Sequence, residues 1–369
     1  MTRNATNEAT RILGIEHPII QGPFGGGLST AALAATVANH GGLGSFGAHM
    51  LAPERIGTVA ADIRALTDRP FALNLWVSDH DAGGDHIDPD TFERGWRLFE
   101  PYFRELGVEK PRPGPAERGH PRFEEQVDAL LEARPPAFSF VFGIPSPAVL
   151  AECRRRGIAT IGAATSIAEA QALEAAGVDL VVASGSEAGG HRPSFLARAE
   201  ESLMGTFALV QLVSARAKTP VIAAGGIADA RGVRAAFALG AQAVQIGTAF
   251  LACSESGTND AHRDLLFSER AQHTTLTRAF TGRLARGLRN RWTEEMASHT
   301  GELPPFPTCG WFVSKLRPAA LAAGRTDLIS LWSGQIAPNL RHRSAAALMQ
   351  SLLQDLGRPE HPHEEETPA

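Results

Sequence analysis

Eight short apolar runs recur along roughly the first 250 residues, and a stretch of helical spacing follows nearly every one. No other feature of the chain constrains its fold as strongly. The runs fall at 17–21 (HPIIQ), 42–47 (GLGSFG), 71–77 (FALNLWV), 137–143 (AFSFVFG), 158–162 (IATIG), 179–184 (DLVVAS), 220–224 (PVIAA) and 243–247 (AVQIG). They are continuously apolar, as parallel strands buried on both faces must be. Helices are predicted near 28–39, 53–66, 123–133, 147–156, 166–176, 201–217 and 229–239. Pro53 suits a first helical turn. Ser166 with Glu169 forms a capping-box pattern. Val233, Ala236 and Phe237 share one helical face. Eight such units predict an α/β fold, a (β/α)8 TIM barrel. A doubly wound open sheet is the structural alternative.

The barrel is placed at 12–259. A polar stretch at 78–119, rich in Asp, Gly and Pro, interrupts the rhythm after the third strand and holds one helical pattern near 92–106. It reads either as a lid or as a surface insertion. Residues 260–356 are read as a C-terminal extension of mixed helix and loop packing on the barrel, and 357–369 as a disordered tail.

Composition excludes several function classes. With 35 basic and 40 acidic residues, the net charge of −5 and the scattered arginines argue against a nucleic-acid surface. Three cysteines without CxxC spacing argue against a disulfide framework or a zinc site, and no metal is expected. The N-terminus has no apolar h-region and no run is long enough to span a membrane, so a cytoplasmic protein is expected. The oligomeric state stays open.

In a barrel of this kind ligands bind at the C-terminal ends of the strands. Gly22-Pro23-Phe24 follows the first strand, and its glycines do not match a GxGxxG dinucleotide pattern. Gly225-Gly226 and Gly247-Thr248 close the last two strands. Their free N–H groups, ahead of helix N-termini, favour a phosphate site over two simple turns. Asn74 and Gln245 are polar positions inside apolar strands. They either meet the edge of a heteroaromatic ring or bond each other and the backbone. His191, two glycines beyond the sixth strand, is the candidate acid–base group, with a surface histidine as the alternative. Glu187 is read as structural. The arginines of RLARGLRNR read as a solvated helix face. Trp76, Trp311 and Trp332 either wall a pocket or fill the core.

At these residues the chain resembles the nitronate monooxygenases, also called 2-nitropropane dioxygenases. PIIQGPFGGGLSTAALAATVANHGGLGSFG is similar to their N-terminal flavin motif. SEAGGHR is similar to their catalytic-histidine motif, and PVIAAGGIADARGVRAAFALGAQAVQIGTAFLACSES to their phosphate segment. RAFTGRLARGLRN and LWSGQIAP are also similar to family segments. The resemblance implies a TIM barrel with non-covalent FMN. It sets Gly22, Pro23 and Phe24 against the flavin ring and Asn74 at its polar edge. Gly189 would line the site, Gly225, Gly226, Gln245, Ile246, Gly247 and Thr248 would take ring edge and phosphate, and His191 would be catalytic. Phe24 stands where the family has Met, Ser184 where it has Gln, and the 79–119 stretch is unusual for it.

The resemblance implies O2-dependent oxidation of an alkyl nitronate, such as propionate 3-nitronate, or of a nitroalkane, to a carbonyl compound and nitrite. An FMN-dependent enoyl-acyl-carrier-protein reductase and a flavin-binding partner protein with little turnover are the competing readings.

Overall fold

The computed structural model describes residues 7–78, 87–114 and 120–357. The eight apolar runs become parallel strands β1 (Ile19–Gln21), β2 (Gly44–Gly47), β3 (Phe71–Trp76), β4 (Ala137–Val141), β5 (Ala159–Ala164), β6 (Leu180–Ser184), β8 (Val221–Ala224) and β9 (Ala243–Ile246). Their order in the sheet is β1-β9-β8-β6-β5-β4-β3-β2. An Ile20–Leu43 bridge closes the ring between β1 and β2. At this narrow seam Gln21 is fully buried, and its Oε1 accepts the Ser45 N–H at 2.8 Å while its amide donates to the Gly22 carbonyl. A buried amide must be satisfied, and here its satisfaction ties two sparsely paired strands together. The fold is therefore the (β/α)8 barrel and not the open sheet.

Strand ends shift by one or two residues from the sequence reading, with local causes. Pro18 cannot donate to a ladder, so β1 starts at Ile19. Phe142 and Gly143 both have positive φ (64° and 149°), which turns the chain away from β4 before residue 143. The helices Phe123–Ala133 and Pro147–Arg156 match the expected ranges. The helix expected over 201–217 is shorter, Thr206–Ser214, preceded by a separate 3-10 turn at Ala199–Glu201. Ser166 caps Ile167–Ala175 by accepting the Glu169 N–H. The return half of the predicted box is not made. Glu169 is fully buried and instead accepts from Thr165 N and Oγ1, both at 2.7 Å, and from the Phe195 and Leu196 N–H groups at 2.6 and 3.1 Å.

The barrel interior is filled by Ile20, Leu43, Ile161, Leu180, Val182 and Ile222 with several alanines, and Leu13 and Ile15 pack into this cluster. A larger cluster lies between the sheet and its helices. A third joins the 87–114 segment to the C-terminal extension. There Phe92, Phe99 and Phe103 of the helix Pro89–Glu105 pack with Trp292 and with Phe312 of the helix Thr308–Ala322. Glu105 accepts from Arg291 at 2.8 Å and Arg325 at 2.5 Å, and Tyr102 donates to Glu295 at 2.6 Å, so polar contacts reinforce the same junction. Residues 79–86 and 115–119 of the polar stretch, and 358–369 of the tail, lie outside the described residues.

Three strands outside the barrel form a second sheet. β7 (Gly190–His191) pairs antiparallel with β11 (Ala285–Leu288), which pairs antiparallel with β10 (Thr274–Thr277). The extension was expected as helix and loop only. Four-residue strands such as TTLT and ARGL are too short to show a period. The RLARGLRNR segment is accordingly not a solvated helix face, because it contains β11, and Arg283 and Arg286 are buried.

Two glycines test the packing in opposite directions. A Cβ on Gly44 would lie 1.9 Å from the Ala34 carbonyl oxygen, whereas one on Gly57, within the helix Pro53–Arg64, would meet nothing within 4 Å. Gly44→Ala is expected to destabilise by about 2–3 kcal/mol through overpacking. Gly57→Ala is expected to stabilise by about 0.5–1 kcal/mol through backbone entropy. Urea midpoints measure both, and equal midpoints for the two variants would contradict the β2 packing.

Candidate active site

The predicted site residues lie in the C-terminal halves of the barrel strands or in the loops that follow them. Gly22 follows β1, and its N–H donates to the Ile246 carbonyl at 2.9 Å. A Cβ there would come within 3.3 Å of the Gly247 Cα, so the two loops approach as closely as glycine permits. Gly225 and Gly226 have φ of 106° and 72°, values that L side chains rarely adopt. The N–H groups of Gly226, Gly247 and Thr248 find no backbone acceptor among the described residues. Gly247 caps only one helical turn, Thr248–Leu251, so the capacity to bind an anion rests on these N–H groups and not on a helix dipole. The Thr248 hydroxyl accepts the Gly334 N–H at 2.9 Å and keeps its own proton to donate. The Ile246 side chain is buried in the outer core, leaving only its backbone to the mouth.

Asn74 is buried and donates its amide to the Ser139 carbonyl and Oγ at 3.1 and 3.0 Å. Its Oδ1 has no partner among the described residues. Gln245 is half-buried, and its side chain makes no hydrogen bond there either. The two amides therefore do not bond each other. Pro23 and Phe24 are half-buried, and the Phe24 N–H is fixed by the Ser29 hydroxyl at 3.0 Å. Ser184 is buried at the end of β6, where its carbonyl accepts from Arg192 at 2.9 Å. Glu187 accepts the Thr206 N–H and hydroxyl and has the structural role expected of it. Gly189 packs on the Ser333–Gly334 backbone, where a Cβ would lie 2.5 Å from the Gly334 nitrogen.

β7 carries His191 out of its loop and over the mouth. Its register with β11 sets His191 opposite Ala285. The imidazole sits among Trp76 at 4.9 Å, Trp332 at 5.2 Å and Phe142 at 6.3 Å between ring centroids. Trp76 and Trp332 thus wall the site, and Trp311 belongs to the core shared with the extension. Burial lowers the His191 pKa to about 4, so the ring is neutral at pH 7 and keeps one nitrogen lone pair unprotonated.

Sequence reasoning missed several residues here. His49 stacks on Trp76 at 3.8 Å, and burial, reinforced by the nearby His120, His191 and Arg283, holds its pKa well below the ordinary value. Arg283 lies 3.7 Å from the Phe142 centroid and 4.0 Å from that of Phe306, and donates to Ser78 at 2.9 Å. Burial lowers its pKa to about 9, which leaves it charged at pH 7. Thr281 contacts His191 directly, with 2.9 Å between its Oγ1 and Nε2. The RAFTGRLARGLRN segment carried the signal for both Thr281 and Arg283. Without the strand pairing of β7 and β11, nothing in the sequence set it beside His191.

The pKa shifts fix a direction for acid stability. His191 and His262 are both lowered to about 4 by burial, against 6.5 in an unfolded chain. Between pH 6.5 and 4 the unfolded chain binds protons that the folded chain refuses, so stability falls as the pH falls through that window. His191→Asn removes one such group. Between pH 7 and 5 its unfolding free energy, from urea titration, is expected to drop less than that of the unmodified protein, by at most about 1.4 kcal/mol per pH unit. An equal or steeper drop would show His191 to be no more buried than an ordinary histidine.

The sequence profile of the family described as nitronate monooxygenase matches residues 6–355. A nitronate monooxygenase of Pseudomonas aeruginosa is 44% identical over 356 residues, covering 95% of this chain and 99% of that protein. Among solved structures, a nitroalkane oxidase from Streptomyces ansochromogenes superposes with a TM-score of 0.85 at 34% identity, over 95% of this chain and 98% of that one. FabK from Thermotoga maritima superposes with a TM-score of 0.72 at 28% identity, over 96% of each chain. With a family match along almost its whole length and a relative identical at 44% of aligned positions, the chain belongs to the nitronate monooxygenase family and is an oxidoreductase.

Proposed function

We propose that the protein binds FMN non-covalently and uses O2 to oxidise alkyl nitronates to a carbonyl compound and nitrite. The observation that carries this reading is the meeting, at one barrel mouth, of a glycine-built cradle of free N–H groups and a neutral, half-buried imidazole. The cradle fits a phosphate: Gly226, Gly247 and Thr248 offer N–H groups, Thr248 offers a hydroxyl, and no Cβ intrudes. Gly22, Pro23 and Phe24 would lie against the ring, and the Asn74 Oδ1 and Gln245 amide, without partners among the described residues, would meet its polar edge. Gly189 and Gly225 would line the approach, and Ser184 is too short to replace the longer glutamine of the family. Bound FMN supplies the electron transfer between nitronate and O2.

The chain's own residues handle the proton and the charge. His191, neutral at pH 7, accepts the α-proton of a nitroalkane. The C–H bond breaks and its electron pair moves into the nitro group, which gives the nitronate. Arg283 stays charged and provides a positive field for that anion. Trp76, Phe142 and Trp332 keep bulk water from the reacting carbon. A substrate that enters as a preformed nitronate needs no proton transfer.

The likeness to FabK supports a second reading, a flavin-dependent enoyl-thioester reductase. That reaction needs a nicotinamide donor and an acidic carrier, and a chain with net charge −5 is poorly suited to dock the latter. For the working location we propose the cytoplasm, consistent with three buried unpaired cysteines; among the described residues no helix is long and apolar enough to cross a membrane.

The purified protein is expected to be yellow, or to become so with added FMN, and to release nitrite from propionate 3-nitronate. His191→Asn is expected to keep FMN and to lose about 100-fold or more in kcat/KM on neutral nitroethane, with a smaller loss on ethyl nitronate. Unchanged nitroethane turnover would exclude His191 as the base. A colourless protein that refuses FMN would overturn the proposal, and turnover of crotonyl thioester with NADH would favour the reductase.

A further inference from the structure

The Thr281 hydroxyl is placed to decide which nitrogen of His191 reacts. Thr281 sits in the tight turn that leads into β11. Gly282, the next residue, has φ 86°, and its N–H donates to the Arg278 carbonyl at 2.8 Å. A Cβ on Gly282 would lie 2.4 Å from the Phe306 nitrogen, so the turn is wedged against the 304–306 backbone. Arg278 also donates to the Gly282 carbonyl at 2.8 Å. Thr281 is therefore held on both sides by backbone.

The hydroxyl has one proton and two lone pairs. The Arg283 N–H donates to it at 3.2 Å, which takes one lone pair. The Arg283 carbonyl lies 3.4 Å away, in reach of the proton. The contact left over is His191 Nε2, at 2.9 Å the shortest of the three. If Nε2 carries the imidazole proton, every valence of the hydroxyl is used. The opposite tautomer spends the hydroxyl proton on Nε2 and leaves the Arg283 carbonyl without that donor. Nδ1 itself makes no hydrogen bond among the described residues and keeps contact with solvent in the mouth.

We propose that Thr281 is a positioning residue that holds His191 as the Nε2–H tautomer and so presents the Nδ1 lone pair to the substrate. This rests on the reading of His191 as the base. In the proton-transfer step the α-C–H bond breaks, its electrons pass into the nitro group, and the proton bonds to Nδ1. The imidazolium so formed carries a proton on each nitrogen, and the one on Nε2 stays shared with Thr281. The residue that orients the base is thus supplied by the C-terminal extension and not by the barrel.

The tautomer is read directly by NMR of the full-length protein labelled with 15N-histidine, with His191 assigned by its loss in His191→Asn. The expected pattern is a protonated Nε2 and an unprotonated Nδ1 at neutral pH. Thr281→Val is expected to mix the two forms and to lower kcat/KM on nitroethane about tenfold or more, while turnover of preformed ethyl nitronate changes less than about threefold. Thr281→Ser restores the hydroxyl and is expected to recover nitroethane turnover to within about threefold. Protonated Nδ1 in the unmodified protein would overturn the inference. So would a Thr281→Val enzyme as active as the original, or one that loses both substrates equally. If His191→Asn itself keeps nitroethane turnover, the reading of His191 as the base fails, whatever Thr281 does.

Discussion

The pairing of β7 with β11 is the interaction on which the site depends. It is only two residues long, and a ladder of that length is marginal by itself. Buried polar groups around it supply the missing definition. Arg192 is fully buried and donates to the carbonyls of Gly185, Ser184 and Ser202 at 2.6, 2.9 and 3.2 Å. Arg286 donates to the Ser186 carbonyl at 2.9 Å. Burial lowers both guanidinium pKa values, that of Arg192 to about 10, which leaves Arg192 charged at neutral pH. Charges placed this way add little net stability, but they tolerate few alternative arrangements of the loop they hold. Glu187 fastens the same excursion to Thr206, and Glu169, outside it, accepts the Phe195 and Leu196 N–H groups. The loop between β6 and β8, long enough to wander, is held in one path, and His191 has one place to stand.

Two parts of the chain therefore divide the chemistry. The barrel contributes glycine turns and free N–H groups at the strand ends, together with the side chains of Asn74, Trp76, Phe142, His191 and Gln245. The extension contributes side chains: Thr281 beside the imidazole, Arg283 among the aromatic rings, and Trp332 closing one wall. The Ser333–Gln335 segment stitches them together. Gly334 donates to Thr248, and the Gln335 N–H donates to the Glu187 carbonyl at 3.0 Å. Loops after barrel strands vary easily without disturbing the barrel, and an extension that packs across the mouth has the same freedom. Phe24 and Ser184, two of the three expected departures from the family pattern, lie on the barrel side of this division.

The barrel was legible because parallel strands must be apolar on both faces, and that leaves uninterrupted runs such as FALNLWV and DLVVAS. The glycine turns were legible because positive φ at Gly225 and Gly226 excludes almost any other residue. His191 was singled out from thirteen histidines by its position beyond the sixth strand and by the resemblance of SEAGGHR to a family motif. The capping box at Ser166 was half right. A buried Glu169 has stronger donors available across the fold than its own helix N-terminus, and local pattern cannot see them. Thr281, Arg283 and the short strands of the second sheet were hidden for the same reason. Thr281 and β11 meet residues about ninety positions earlier in the chain, and Arg283 meets Ser78 still farther back, while four-residue strands carry no period to announce any pairing.

The central claim is that FMN lies across this mouth with its phosphate on main-chain amides. Hydrogen–deuterium exchange of the protein with and without FMN addresses that placement directly. The account predicts slowed exchange at 225–227 and 247–249, together with the 189–191 segment that faces them, and little change on the outer helices. Exchange unaltered at those glycine turns, or protection confined to some other surface, would contradict it.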